Sequence, residues 1–392
     1  MLRELTDSIL PYWMNRVADH DHGGYHGRID GSNEIDLNGS RSAILNTRIL
    51  WTFSSSYRIL QKPDFFPHIQ RAMDYLENHF LDQKNGGIYW SLDADGNPLD
   101  SRKHTYAQSF AIYAYAETYR ATGSLKARDR ALELFDLLEK HAFLADQGAY
   151  YEAFDAAWNK LPDVRLSEQD LDAHRSTNTH LHLMEAFTTL YKASPNDLIR
   201  RRLIGLVELF MGPIFNMDTN HFYAFFDSQW NPATDVYSFG HDIETVWLMM
   251  DAIHAIGDAG LSDKVKKQLI TVADLTLSEG IDSEFGGLFN TGLNGKILDD
   301  DKHWWPQAEA IIGFYYAYEI SDDERYLDSA VSLWKFIQNK IIDHEHGEWY
   351  FRVDRAGNPY HEDKVGFWKC PYHSARACLE IYELTKDLVA TE

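Results

Sequence analysis

Gly240-His241-Asp242-Ile243-Glu244-Thr245-Val246-Trp247-Leu248-Met249-Met250 is the stretch on which the reading of this chain turns. Val246 through Met250 are five apolar residues in a row, and a helix apolar on every side belongs inside a large core. Its first turn differs. His241 and Glu244 are three apart and share a helix face, and Gly240 before them lets the backbone approach closely. A titratable pair at the end of a dry helix is costly unless it is well bonded or used.

Outward from this stretch the arrangement repeats. A turn of Gly, aromatic and polar residues recurs as His22-Gly23-Gly24-Tyr25, Asn85-Gly86-Gly87-Ile88, Gln147-Gly148-Ala149-Tyr150, Asn220-His221-Phe222-Tyr223, Phe285-Gly286-Gly287-Leu288 and His346-Gly347-Glu348-Trp349. The spacing, about 60 to 70 residues, exceeds that of the short solenoid repeats. Most copies read as a short hairpin, with turns such as Asp95-Gly96-Asn97-Pro98. Two helices fit between successive copies. Thr105 to Thr122, then a break at Gly123-Ser124, then Leu125 to His141 is one such pair. The second member is two-faced: Ser262-Asp263 reads as a cap before Val265, Leu269, Val272 and Thr276. With Leu2 to Val17 and Ser42 to Leu60 the total is about twelve helices, alternately apolar all round and amphipathic. This predicts an all-α fold: a six-fold α/α barrel, an inner ring of six helices covered by an outer six, with short β-hairpins at one end. A linear helical solenoid is the competing arrangement. No Pro/Ser-rich linker or charge block divides the chain, so 1–392 is expected to be a single domain.

Composition narrows the function. A formal charge of −23 argues against nucleic acid and anionic membranes as partners, since both need a basic surface, and it suits a monomer or weak homo-oligomer. No stretch approaches membrane-spanning length and no secretory signal is visible. The cysteines, Cys370 and Cys378, read as two turns apart on one helix, too far for a disulfide, and point to a reducing cytoplasm. The absence of G-x-x-x-x-G-K-S/T and of a strand followed by G-x-G-x-x-G removes the common nucleotide-binding readings, and no cofactor is expected.

If hairpins feed the inner helices, the opening turns of those helices converge on one funnel. They carry Arg48; Tyr106 and Gln108; Asn178, His180 and His182; His241 and Glu244; Trp304, Trp305, Gln307 and Glu309; and Trp368 and His373. A wall of rings with His, Glu and Arg suits a neutral, polyhydroxylated ligand, because rings pack on C–H faces while polar groups fix hydroxyls. Each residue also has a plainer reading. His180 reads as a satisfied core group, since it cannot share a face with His182. His241 with Glu244 could be half of a carboxylate-bundle metal site, but no second Glu-x-x-His copy accompanies it, and no metal is expected. One of Trp304 and Trp305 is expected in the funnel and the other in the core. Arg48, in an otherwise apolar helix, is hard to explain as packing.

Gly240-His241-Asp242-Ile243-Glu244, His303-Trp304-Trp305-Pro306-Gln307-Ala308-Glu309 and Phe367-Trp368-Lys369-Cys370-Pro371-Tyr372-His373, with Asn178-Thr179-His180-Leu181-His182 before them, resemble the N-acylglucosamine 2-epimerase superfamily. The resemblance runs end to end and is strongest to the members that act on β-1,4 disaccharides. It implies the six-fold α/α barrel and epimerisation at C2 of the reducing-end sugar of cellobiose or lactose. A C–H beside an aldehyde is acidic enough for a base that titrates near neutrality, as His does. The resemblance then implies His241 and His373 as the two bases once the ring has opened, with rotation about C2–C3 in an enediolate that Arg48 stabilises. Glu244 would orient His241 or hold a hydroxyl, and His182 and Asn178 would bind or help open the ring. Tyr106 completes the sugar-binding wall. Trp368 and one of Trp304 or Trp305 would stack on the sugar, and Ser167 and Asp170, in the loop before Asn178, match positions near the reducing end.

Three other functions remain open on the residues alone. An aldose–ketose isomerase of mannose, glucose and fructose would share the histidine pair. An inverting glycosidase would use two carboxylates about 6.5 to 9.5 Å apart, and Glu244 with Glu309 could supply them. A non-catalytic sugar-binding module is the third.

Overall fold

The structure, a computed structural model, describes residues 1–389; the final three residues of the expected domain lie outside the described residues. Twelve helices follow in order. α1 runs through Leu2–Glu4, a π turn at Leu5–Ile9 and Leu10–Asn15. Then come α2 (Ala43–Leu60), α3 (Phe66–Tyr75), α4 (Thr105–Thr122), α5 (Leu125–His141), α6 (Thr177–Ala193), α7 (Asp197–Met211), α8 (Phe239–Ile256), α9 (Ala259–Leu275), α10 (Trp304–Ser321), α11 (Glu324–Phe336) and α12 (Tyr372–Val389).

Burial sorts them into two rings. α8 buries fourteen of its eighteen residues, whereas α9 buries only Val265, Leu269, Val272 and Ala273, a single stripe. The all-round apolar helices are neighbours in sequence of alternate elements: α2 packs on α4, α4 on α6, α6 on α8, α8 on α10, α10 on α12, and α12 returns to α2. That last contact closes the ring and excludes an open solenoid. The outer helices α3, α5, α7, α9 and α11 each cover the inner helix that precedes them, and α1 covers α12. Among the described residues no helix is long and apolar enough to cross a membrane.

Local sequence sets the helix ends. Ser42, Ser176 and Ser238 cap α2, α6 and α8, their hydroxyls accepting from Leu45, Thr179 and His241 backbone N–H groups. α9 starts earlier than its sequence suggests. Gly257 ends α8 in the left-handed region (φ 70°), so Asp258 is already the cap of α9, accepting from Leu261 N–H, and Ser262 and Asp263 lie inside the helix. Likewise Cys370 lies ahead of α12, which opens only after Pro371; it and Cys378 are buried and free.

The hairpins do gather at one end, but they are not isolated. The short strand leading into each inner helix pairs antiparallel with the hairpin of the next repeat: Arg41–Ser42 with Ser91–Leu92, Lys103–His104 with Ala153–Phe154, Arg175–Ser176 with Phe225–Phe226, Val236–Ser238 with Thr291–Leu293, and Lys302–His303 with Arg352–Val353. Val365 then bridges Ile29, sealing the circle. Pairing onward satisfies edge groups that a lone hairpin would leave bare.

The repeated turn has a buried lock. Asp82 accepts the backbone N–H groups of Lys84 and Asn85 and an ion pair from Lys103 at 2.7 Å. Arg41 pairs with Asp19 at 2.7 Å and Lys302 with Asp282 at 3.0 Å, and Lys364 pairs with Asp343. Gln108 grips both backbone groups of Ile88, as Gln307 does those of Leu288.

Candidate active site

The opening turns of the inner helices surround a cavity of about 230 Å³. Arg48 reaches it from α2, Tyr106 from α4, Asn178 and His182 from α6, His241 and Glu244 from α8, Trp304 and Trp305 from α10, and His373 from α12. Trp368 lies on its wall just before α12, and Ser167 and Asp170 face it from the long connection into α6. Both tryptophans of the pair line it, where one had been expected in the core. Both stand in the first turn of α10, the end of that helix that borders the cavity. Gln108, His180 and Gln307 do not reach it. His180 is fully buried and accepts from Tyr150 N–H.

The three cavity imidazoles differ in their partners. His373 Nδ1 lies 2.6 Å from Glu309 Oε1, and Glu309 Oε2 accepts from Trp247 Nε1 at 2.9 Å. Burial raises the Glu309 carboxyl while Arg376 opposes that rise; with Glu309 ionised it only accepts, and His373 then donates from Nδ1 and keeps Nε2 bare. His182 Nδ1 meets Glu185 Oε2 at 2.8 Å in the same way. Among the described residues the His241 ring has no hydrogen-bond partner; it packs on Trp305 at 4.9 Å, and the same indole lies 5.7 Å from His373. Burial, with His182 nearby, pushes His241 down to about 3. Burial and the Arg48 and Arg376 cations hold His373 well below the usual imidazole range. Both rings are neutral at pH 7.

Arg48 is 3 % exposed. Its Nη2 donates to Tyr106 Oη at 2.9 Å, and its guanidinium sits over Phe110 at 4.2 Å and Tyr372 at 4.9 Å. Among the described residues no carboxylate pairs with it. Glu244 takes Arg376 on Oε1 at 2.6 Å and leaves Oε2 buried without a partner. Burial, then the neighbouring Glu309, pushes its carboxyl up to about 8. It makes no bond to His241. Sharing a helix face aligned the two but did not bring them into contact. Asn178 Oδ1 and Trp304 Nε1 are also buried and unpartnered. A cavity walled by rings and holding back this many polar groups is built for a ligand that brings hydroxyls.

Sequence reading missed Glu185, Trp247 and Arg376, and underrated Glu309. A signal existed: Glu185 follows His182, and Arg376 follows His373, by three residues, the spacing of one helix face. Glu244, Glu309 and His373 offer ligand atoms within 4.8 Å of one another. Arg376 Nη2, at 2.6 Å from Glu244 and 2.7 Å from Glu309, holds the cation position between the carboxylates. That closeness also falls short of the separation an inverting glycosidase needs, about 6.5 to 9.5 Å.

A sequence model of the N-acylglucosamine 2-epimerase (GlcNAc 2-epimerase) family matches residues 23–377. The chain belongs to the N-acylglucosamine 2-epimerase family. Among relatives in this epimerase family, a cellobiose 2-epimerase of Bacteroides fragilis is 41% identical over 97% of this chain and 97% of its own. One from Ruminococcus albus is 40% identical, covering 98% of each. The structure of the cellobiose 2-epimerase from Bacillus thermoamylovorans superposes with a TM-score of 0.92 at 37% identity, covering 97% of both chains. As a member of this family the protein is an isomerase of the epimerase type, and the cavity at the hairpin end of its barrel is the candidate active site.

Proposed function

We propose that this enzyme inverts C2 of the reducing-end glucose of β-1,4-linked disaccharides, taking cellobiose to glucosyl-mannose and lactose to epilactose. The observation that carries the reading is two neutral imidazoles, His241 and His373, on one cavity and against one indole, beside a buried guanidinium that lacks a carboxylate. The two relatives named above as cellobiose 2-epimerases support the substrate class.

Ring opening, helped by His182 and Asn178, exposes the C1 aldehyde. One imidazole takes the C2 proton, and the C–H electron pair becomes the C1–C2 double bond as the carbonyl pair moves onto O1. Arg48 stabilises the resulting enediolate oxygen, a charge present only along the reaction path. The first imidazolium gives its proton to solvent and the other histidine takes one from solvent on Nε2; after rotation about C2–C3 this second imidazolium returns that proton to the opposite face of C2, and both rings end neutral as they began. Glu309 holds the His373 ring so that Nε2 addresses the carbon. The free Oε2 of Glu244 takes a sugar hydroxyl. Tyr106 holds Arg48, and Trp304, Trp305 and Trp368 stack on the sugar rings. Asp170, tied to the Ser167 backbone N–H, and Ser167 meet it near the loop. No cofactor or metal enters these steps. The protein acts as one catalytic domain over 1–392, as a monomer or weak homo-oligomer; two buried free cysteines support a cytoplasmic setting.

His373→Asn should still bind cellobiose, by calorimetry, while C2 exchange with deuterated water is abolished in the NMR spectrum. Undiminished exchange would require a different base. The same spectrum of the wild type separates the C2 epimer from a ketose, formed if the enediol is protonated at C1, and from cleavage to glucose.

A further inference from the structure

Two of the three cavity imidazoles are each held by a glutamate, His182 by Glu185 and His373 by Glu309, and these carboxylates come from α6 and α10. Between them lies Arg376 of α12, 0 % exposed. Its Nη1 donates to Glu185, and its Nη2 donates to Glu244 at 2.6 Å and lies in an ion pair 2.7 Å from Glu309. The guanidinium is clamped between the Trp247 and Tyr372 rings, 4.6 and 4.1 Å from their centres. No role in substrate contact falls to it, since it lies behind the glutamates and off the cavity wall.

We propose that Arg376 is a positioning residue for the epimerisation, setting the tautomer of two histidines at once: by holding Glu185 and Glu309 ionised and aimed, it keeps the ring protons of His182 and His373 on Nδ1 and their Nε2 atoms bare toward the sugar. This rests on the reading of His373 as a base. Three carboxyls buried together without a cation cannot all stay ionised. If Glu309 took up a proton it would become a donor to His373 Nδ1. The imidazole would then carry its own proton on Nε2, where it could accept nothing from carbon. With Arg376 in place, Glu309 is met by two groups that can only donate, Arg376 and Trp247, and its remaining contact is His373 Nδ1. The proton shared by the Glu244–Glu309 pair therefore belongs on the unpartnered Oε2 of Glu244. A lysine could supply the charge but not the fork, which reaches carboxylates on two sides of one plane.

The test uses the full-length enzyme labelled with ¹⁵N-histidine, with the two resonances assigned through His182→Asn and His373→Asn. At pH 7 long-range ¹H–¹⁵N spectra of the wild type should show both rings neutral and protonated on Nδ1. Nε2–H at His373 in the wild type overturns the proposal, with no variant needed. Arg376→Gln should move His373 to the Nε2–H form or to the imidazolium. Because Arg376 lowers the His373 pKa, its removal should shift the acid limb of kcat/KM to higher pH. Arg376→Lys should lose about 10²-fold in kcat, the scale of one general-base contribution, with KM within about 3-fold. A rate loss with the tautomer and acid limb unmoved would mean a packing role and overturn the proposal. The spectra need no substrate. Correct tautomers in an enzyme that fails to exchange C2 would count against the epimerase reading, while altered tautomers in an active epimerase would count against Arg376.

Discussion

Buried charge is treated in two opposite ways in this molecule. In the turns, Lys103 and Asp82, Lys302 and Asp282, Arg41 and Asp19, and Lys364 and Asp343 are each closed into a pair under a hairpin. In the cavity, among the described residues, Arg48 has no carboxylate, the His241 ring has no hydrogen-bond partner, and Glu244 keeps one oxygen bare. The turn pairs also receive backbone donors, so each lone pair is used and the site has nothing left to offer. Desolvating the cavity groups without partners costs stability, and the return on that cost is interaction that only a ligand can complete. The closed pairs under the hairpins serve structure, and the cavity groups left without a partner await a ligand.

Substitutions that cross the two regions should pull stability and activity apart. Removing one member of a closed pair leaves the other charge stranded, so Lys103→Met should cost about 3–5 kcal/mol of stability in chemical denaturation. Its kcat, measured where the protein is still folded, should stay within about 3-fold of wild type. A variant with unchanged stability would show that the turn locks are incidental. The converse is Arg48→Met, which removes a charge that no carboxylate among the described residues balances. The expected loss in kcat is about 10²–10³-fold, the scale of one oxyanion-stabilising donor, with a Tm equal to or above that of the wild type. A large drop in Tm would put Arg48 among the structural charges.

The smallest expected effect concerns Glu244. Its carboxyl is raised to about 8 by burial and by Glu309, so it is protonated in the folded enzyme at neutral pH and loses that proton as the pH passes 8. In kcat/KM this gives a falling alkaline limb near 8, which Glu244→Gln, permanently neutral, should lack. In stability the sign is that of a raised acid. Its contribution is full below the unfolded carboxyl value of about 4.3 and is lost as pH rises through about 8. The Gln variant should therefore show a flatter stability profile across that window. An alkaline limb that survives the substitution would assign it to another group.

Legibility in the sequence followed how local each feature is. The contrast between α8, apolar on every side, and α9, with one stripe, was readable because hydrophobic periodicity belongs to one helix. Residues such as Trp305 and Asn178 could be nominated because they stand at the openings of such helices. The onward pairing of Lys103–His104 with Ala153–Phe154 could not be read, since a two-residue strand carries almost no pattern. Nor could the start of α9 at Asp258 be told from one at Ser262, because either residue makes a competent cap.

By itself, then, the sequence determined the repeat, the two kinds of helix, and the residues that stand at the openings of the apolar ones. All of these follow from the spacing of apolar residues along short segments. Tertiary structure alone decided which charge answers which. Arg376 and Glu185 stand 191 residues apart in the chain, and they meet because ring closure brings α12 opposite α6. Imidazole tautomers depend on such partners, and a partner across a cavity leaves no trace in the residues on either side of it.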